Sequence, residues 1–97
     1  MKKEFYSLKG TELEKHEGEY DSKNGVYFYK ADTGWKAIDS YSGSSIVIKM
    51  PTKEECKKEL AKIMPKVKEV RQSEKFLKGV VNYQEMLEDI YEDGING

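Results

Sequence analysis

The chain has 97 residues, 36% charged and 37% hydrophobic with a net charge of −1, the balance of one water-facing domain spanning residues 1–97 rather than of a disordered chain. No apolar run approaches the roughly 20 residues of a membrane-spanning helix, and the opening MKKEFYSLKG has no apolar signal-peptide centre, so a cytoplasmic location without a membrane partner is expected. One cysteine, Cys56, and one histidine, His16, exclude an internal disulfide and a structural zinc site, and neither metal nor cofactor is expected.

Phe5 to Lys9 opens as a strand, expected over about 4–9. After a bend at Gly10, TELEK permits a second strand over 11–15. The same residues also fit a helical turn with Thr11 as cap and Glu14 in the capping-box position; the strand is the reading we adopt. Gly18 reads as turn, and so does Asp21-Ser22-Lys23-Asn24-Gly25, where Asn-Gly is the strongest short hairpin signal. Tyr20 then belongs to a strand that pairs with GVYFYK.

Residues 25–52 organise the rest. They predict strands over 25–31, 34–41 and 45–50, rich in β-branched and aromatic residues and separated by Asp32-Thr33-Gly34 and Ser42-Gly43 turns. Successive side chains alternate between faces, so Val26 and Phe28 oppose Tyr27 and Tyr29. Trp35, Ala37, Asp39 and Tyr41 oppose Lys36, Ile38 and Ser40, and Ile46, Ile48 and Met50 oppose Val47. Both faces carry large apolar groups. One is core; the other is covered by the later helices, or else Tyr27, Tyr29, Trp35 and Tyr41 form a protein-binding surface of the kind aromatic anchors build.

Thr52 caps a helix and Glu55 completes its capping box. From there Cys56, Leu60, Ile63, Val67, Val70, Leu77 and Val81 recur at intervals of four and three, broken only by Glu74, as a single stripe against the sheet. Pro65 removes a helical hydrogen bond and disfavours the helical conformation at Met64. It predicts a bend between segments 52–64 and 66–78, with Gly79 as the stop. Asn82, with Glu85 three residues on, predicts a last helix over 82–93 that Asp93-Gly94 ends, leaving Ile95-Asn96-Gly97 as a tail. The fold class is α+β: an antiparallel sheet of three to five strands followed by two or three helices.

Charge is uneven along the chain. Residues 49–79 hold ten basic and five acidic groups, whereas 80–97 hold five acidic groups and no basic one. The plainest account is solvated faces that attract one another weakly, each exposed pair contributing about 0–1 kcal/mol. A second account is nucleic-acid binding by Lys57, Lys58, Lys62, Lys68, Arg71, Lys75 and Lys78, with Lys68, Arg71, Lys75 and Lys78 on one helical face. Arg71 is the only arginine, so such binding would be salt-sensitive and blind to sequence. A third sets Glu85, Glu88, Asp89 and Glu92 against a basic groove on another protein, and a fourth pairs the acidic helix of one copy with the basic helix of another.

No catalytic constellation assembles. His16 has no partner at recognisable spacing, and Cys56 lies on the apolar stripe, where a buried, unreactive thiol is expected. The serines of DSYSGSS lack a positioned base, the glycines fall one per turn rather than in a phosphate loop, and Asp32 and Asp39 read as turn and edge residues. The chain is expected not to be an enzyme.

The segments FYSLKGTELEKHEGEY, YKADTGWKAIDSYSGSSI and PTKEECKKEL, within residues 5–64, resemble small accessory proteins encoded by phages and other mobile elements of Gram-positive bacteria. Sixteen lysines to one arginine agree with an AT-rich coding sequence. Strands followed by a helix are also similar to the arm-binding domains of phage integrases, but residues 25–48 carry no net charge with which to grip DNA. The resemblance implies a small binding protein that engages or inhibits a host protein, such as one of defence or nucleic-acid processing.

Overall fold

The structure, a computed structural model, describes residues 2–96, with side chains over 2–91. The alternating stretches form five strands: β1 (Lys2–Lys9), β2 (Glu12–Asp21), β3 (Val26–Ala31), β4 (Gly34–Asp39) and β5 (Ser45–Met50). They make one antiparallel sheet in the order β1-β2-β3-β4-β5, and two helices follow, α1 (Lys53–Val70) and α2 (Glu74–Asn96). The architecture is α+β. No helix among the described residues is long and apolar enough to cross a membrane.

β2 is twice its expected length, and Gly18 lies inside it rather than in a turn. Its first part pairs with β1, while only Glu19, Tyr20 and Asp21 pair with β3, so the β1–β2 hairpin leaves the plane of the sheet at Gly18. A side chain at 18 would collide with the Phe28 carbonyl oxygen; glycine is there for that close approach, not for a turn. The hairpin folds over the sheet face that carries Tyr27, Tyr29 and Ile38. Phe5 stacks on Tyr27 at 4.3 Å between ring centres, and His16, cross-strand from Phe5, stacks on Tyr29 at 4.1 Å. The second face is thus covered by its own N-terminal hairpin, where the sequence favoured the helices.

The other face meets α1. Val26, Phe28, Ala37 and Val47 from the sheet close on Cys56, Leu60 and Met64, with Trp35, Ile46, Met50, Ile63 and Val67 around them. Each fully buried side chain such as Phe28 or Leu60 contributes about 1.5–3 kcal/mol. The predicted strict alternation in β5 fails at two bulges. Ala37 pairs with Val47, but Trp35 pairs with Met50 and Ile38 with Ser45, so β5 carries an extra residue on each side of Val47. Lys49 takes a left-handed conformation (φ 59°) at the first of these. Val47 and Met50, three apart, therefore both reach the core while Ile48 is exposed.

The helix boundaries differ most from expectation. Thr52 caps α1 as predicted, its Oγ accepting from the Glu55 N–H at 3.1 Å. Pro65 does not split the helix: it is exposed, on the side opposite Cys56 and Leu60, so the Ala61 carbonyl it leaves unpaired faces water. The break comes later. Gln72 and Ser73 N–H donate to Glu69 and Val70 carbonyls in tight i→i−3 bonds, and Ser73 Oγ accepts from Phe76 N–H at 3.2 Å as the cap of α2. Gly79 and Gly94 lie inside α2, and Asn82 is mid-helix, donating to Met86 Sδ at 3.7 Å. Of the expected tail, Ile95 and Asn96 belong to α2 and Gly97 lies outside the described residues. The stripe read through to Val81 fails from the end of α1 onward: Val70, Leu77 and Val81 are exposed, and Tyr83 is the buried residue among the described side chains of α2.

Candidate functional site

Where α1 gives way to α2, the two helices and β5 enclose a groove of about 680 Å³. Its floor is apolar, built from Ile46 of β5, Ile63, Val67 and Val70 of α1, and Phe76 of α2. Its rim carries Lys66 and Lys75 and the hydroxyls of Ser44, Ser45 and Ser73, with Ser42 buried beneath them. The volume lies in the range of small-ligand pockets, and the make-up, apolar with a few polar groups, is that of a binding surface.

The inner end is closed by the chain's only arginine. Arg71 Nε and Nη2 donate to Asp39 Oδ1 at 3.1 and 2.8 Å, and Nη2 also donates to the Asn24 carbonyl at 2.8 Å. Asp39 is 2% exposed, and its Oδ2 accepts from Ser42 N–H and Oγ at 2.9 and 2.7 Å. The Arg71 guanidinium sits over the Tyr41 ring, 5.0 Å from its centre. Four segments thus meet on one ion pair: the β2–β3 turn, the end of β4, the 40–44 loop and the α1–α2 joint. The loop is further pinned by Gly43, whose carbonyl accepts from Leu8 N–H at 2.8 Å.

Tyr83 holds α2 against this loop. Its ring packs on Gly43, where a side chain would collide with it, and its hydroxyl donates to the Tyr6 carbonyl at 2.6 Å. Burial is the main cause that pushes its pKa up to about 12.

The aromatic residues named from the sequence do not share one surface. Tyr29 is buried and Tyr27 half-buried under the hairpin, Trp35 packs at the edge of the α1 core, and only Tyr41 is exposed. Nor do the basic residues. Lys68 ends α1 and Lys75 and Lys78 open α2, so the turn between the helices separates residues that one continuous helix would have aligned. Arg71 is committed to Asp39, Lys57 pairs with Glu19 at 3.6 Å and Lys62 with Glu59 at 4.0 Å. Lys58, Lys68, Lys75 and Lys78 are exposed. Glu85, Glu88 and Asp89 are exposed on α2; the Glu92 side chain lies outside the described residues.

One constellation the sequence concealed comes from strand register. Antiparallel pairing sets Ser7 opposite Glu14 and Phe5 opposite His16, so Ser7 Oγ lies 2.9 Å and Glu14 Oε1 3.2 Å from the imidazole. Both approach the same nitrogen, Nε2, so no relay runs from carboxylate through the ring to the hydroxyl. Burial, more than any other cause, lowers the His16 pKa. Cys56 is fully buried, which pushes its thiol pKa up and away from reactivity. Among the described residues no three His, Cys, Asp or Glu side chains converge as a metal site.

The sequence does not reveal the groove: it places Val70 on the stripe that packs against the sheet, and Phe76 carries no signal of its own. The only available signal was the Arg71-Gln72-Ser73 break, which the louder proline and glycine obscured. Fold and site together define an α+β protein with an apolar groove beside a buried ion pair. Compared with known proteins, the chain matches no family model, no curated protein and no solved structure.

Proposed function

We propose that the chain is a non-enzymatic binding protein that engages or inhibits a host protein, in the manner the phage and mobile-element resemblance implies, and that the groove is its contact surface. The observation that carries this reading is the composition of the groove: an apolar floor, lysines on the rim, and the one buried charge pair already satisfied within the fold. Apolar side chains of a partner displace water from such a floor, and acidic groups beside them meet Lys66 and Lys75. The partner segment is therefore apolar and acidic.

The test is a tagged pull-down from bacterial lysate treated with nuclease, comparing wild type with Val70→Asp. Val70 is 44% exposed at the C-terminal end of α1, so the substitution alters the groove at a stability cost of about 1 kcal/mol, most of it from an acid opposing the helix dipole. The expected result is one stoichiometric protein on the wild type and about tenfold less on the variant. Equal retention on both moves the contact off the groove. Proteins that vanish with nuclease would favour nucleic-acid binding by Lys58, Lys68, Lys75 and Lys78.

A further inference from the structure

The sheet has two edges, and only one of them is broken up. β5 is distorted by two bulges, a common way of making an edge unfit for further pairing. β1 pairs all eight of its residues with β2 without a register shift, and its other side meets no strand among the described residues. The two-residue turn at Gly10-Thr11 fixes which groups face that free side. Lys9 and Glu12 flank the turn as a hydrogen-bonded pair, so the odd residues of β1 bond to β2 and the even ones point N–H and C=O outward. Two contacts agree: Leu8 N–H donates to the Gly43 carbonyl at 2.8 Å, and the Tyr6 carbonyl accepts from the Tyr83 hydroxyl at 2.6 Å. The Glu4 N–H, the Glu4 carbonyl and the Tyr6 N–H have no partner among the described residues.

Beside these three groups α2 and the hairpin enclose a cleft of about 560 Å³, walled by Tyr27, Leu87, Ile90 and Tyr91 and closed at the Tyr6 end by Tyr83. A row of unpaired strand groups next to an apolar wall is matched by another extended backbone. We propose that the cleft binds an extended peptide segment of a partner protein, which adds to β1 as an antiparallel sixth strand. Its residue opposite Glu4 exchanges both hydrogen bonds with Glu4 and, by alternation, points outward to the Glu4–Lys15 ion pair, 2.8 Å across. The residues on either side of it, beside Lys3 and Phe5, point into the cleft and are apolar. The next residue towards the C-terminus lies opposite exposed Lys2 and is acidic. A second copy does not fit the same edge. Twofold pairing centred on Lys2, Lys3 or Glu4 sets like charges directly opposite, and pairing centred on Phe5 uses the Tyr6 carbonyl, which Tyr83 already holds. The cleft shares no lining residue with the groove, so the two contacts can be disabled separately.

A displayed library of random eight-residue peptides, selected on the full chain, supplies the probe, and amide hydrogen exchange with the synthesised strongest binder reads the site. At ten times its dissociation constant the peptide is expected to slow exchange of the Glu4 and Tyr6 amides about tenfold. Lys3 and Phe5 amides, already bonded to β2, should change little. Methylating the peptide nitrogen that donates to the Glu4 carbonyl is expected to weaken binding about tenfold, whereas methylating the next nitrogen, which points away from β1, should leave it nearly unchanged. Tyr91→Ala, at a position 64% exposed in the free chain, is expected to weaken binding about fivefold with the fold intact. A selection that yields no peptide overturns the proposal, and that result depends on no variant folding. So do selected peptides that bind without slowing the Glu4 and Tyr6 amides, or that are indifferent to which nitrogen is methylated. Slowing of these amides in the free chain as its concentration rises would give the edge to a second copy and overturn the peptide assignment.

Discussion

Arg71 shows how a residue's type can be legible while its role is not. An arginine among lysines invites assignment to phosphate, but this one spends its planar fork inside the fold, where its bidentate geometry suits Asp39 and a backbone carbonyl together. Lysine offers a single point of charge and cannot repeat that pattern. Arg71→Ala is therefore expected to destabilise the protein by about 3–5 kcal/mol, because it leaves the Asp39 carboxylate buried without its cation. Arg71→Lys should recover less than half of the loss. Urea denaturation of the three proteins measures both differences, and near-equality of Arg71→Lys with wild type would show that charge alone suffices. The consequence for function is direct: reversing Arg71 together with the neighbouring lysines would weaken nucleic-acid binding by unfolding the site, so a test of that reading has to leave Arg71 intact.

At the scale of elements, strands were more legible than helices, for a physical reason. Period-two alternation and Asn24-Gly25 or Thr33-Gly34 turns act locally, and they placed β3, β4 and β5 within two residues. Helix breaks depend on which side of the helix a residue occupies. Pro65 points to water and is tolerated; Gly79 has no neighbour a Cβ would meet and no left-handed φ, so it neither stops α2 nor serves packing. Ser73, an ordinary residue in sequence, is what starts α2. Likewise Gly18 reads as a turn only until the fold shows Phe28 against it. Gly79→Ala follows as an element-level test. It removes backbone freedom from the unfolded chain and clashes with nothing, so α2 should gain about 0.5–1 kcal/mol. Native-state hydrogen exchange at dilute concentration is expected to show α2 amides slowed about twofold to fivefold. Slower exchange confined to α1 would mean that the glycine acts elsewhere.

The whole molecule is a sheet covered on both faces, by α1 on one side and by its own β1–β2 hairpin on the other, and the two cores differ in their response to acid. The α1 core contains no ionisable group but Cys56. The hairpin core is edged by His16, stacked on Tyr29, with Ser7 and Glu14 at its Nε2 and with Lys9 and Lys36 near enough to oppose its charging. Burial lowers the folded-state pKa of His16 below its ordinary value of 6.5. The unfolded chain therefore takes up this proton first as the pH falls. Stability is complete above about 6.5, declines as the pH drops from there towards the folded value, and levels off below it. Glu19 also has a lowered pKa, from its hydrogen bond with Lys53, and its contribution is lost only as the pH falls below its ordinary 4.5, so a loss that sets in between pH 6.5 and 4.5 is assigned to His16. The urea midpoint of the wild type is expected to fall between pH 7 and pH 5, and that of His16→Gln, which keeps a hydrogen-bonding partner for Ser7 without titrating, to stay level across the same range. If both midpoints fall in parallel, the acid sensitivity lies outside the hairpin core, and the covering of the second face does not depend on a neutral imidazole.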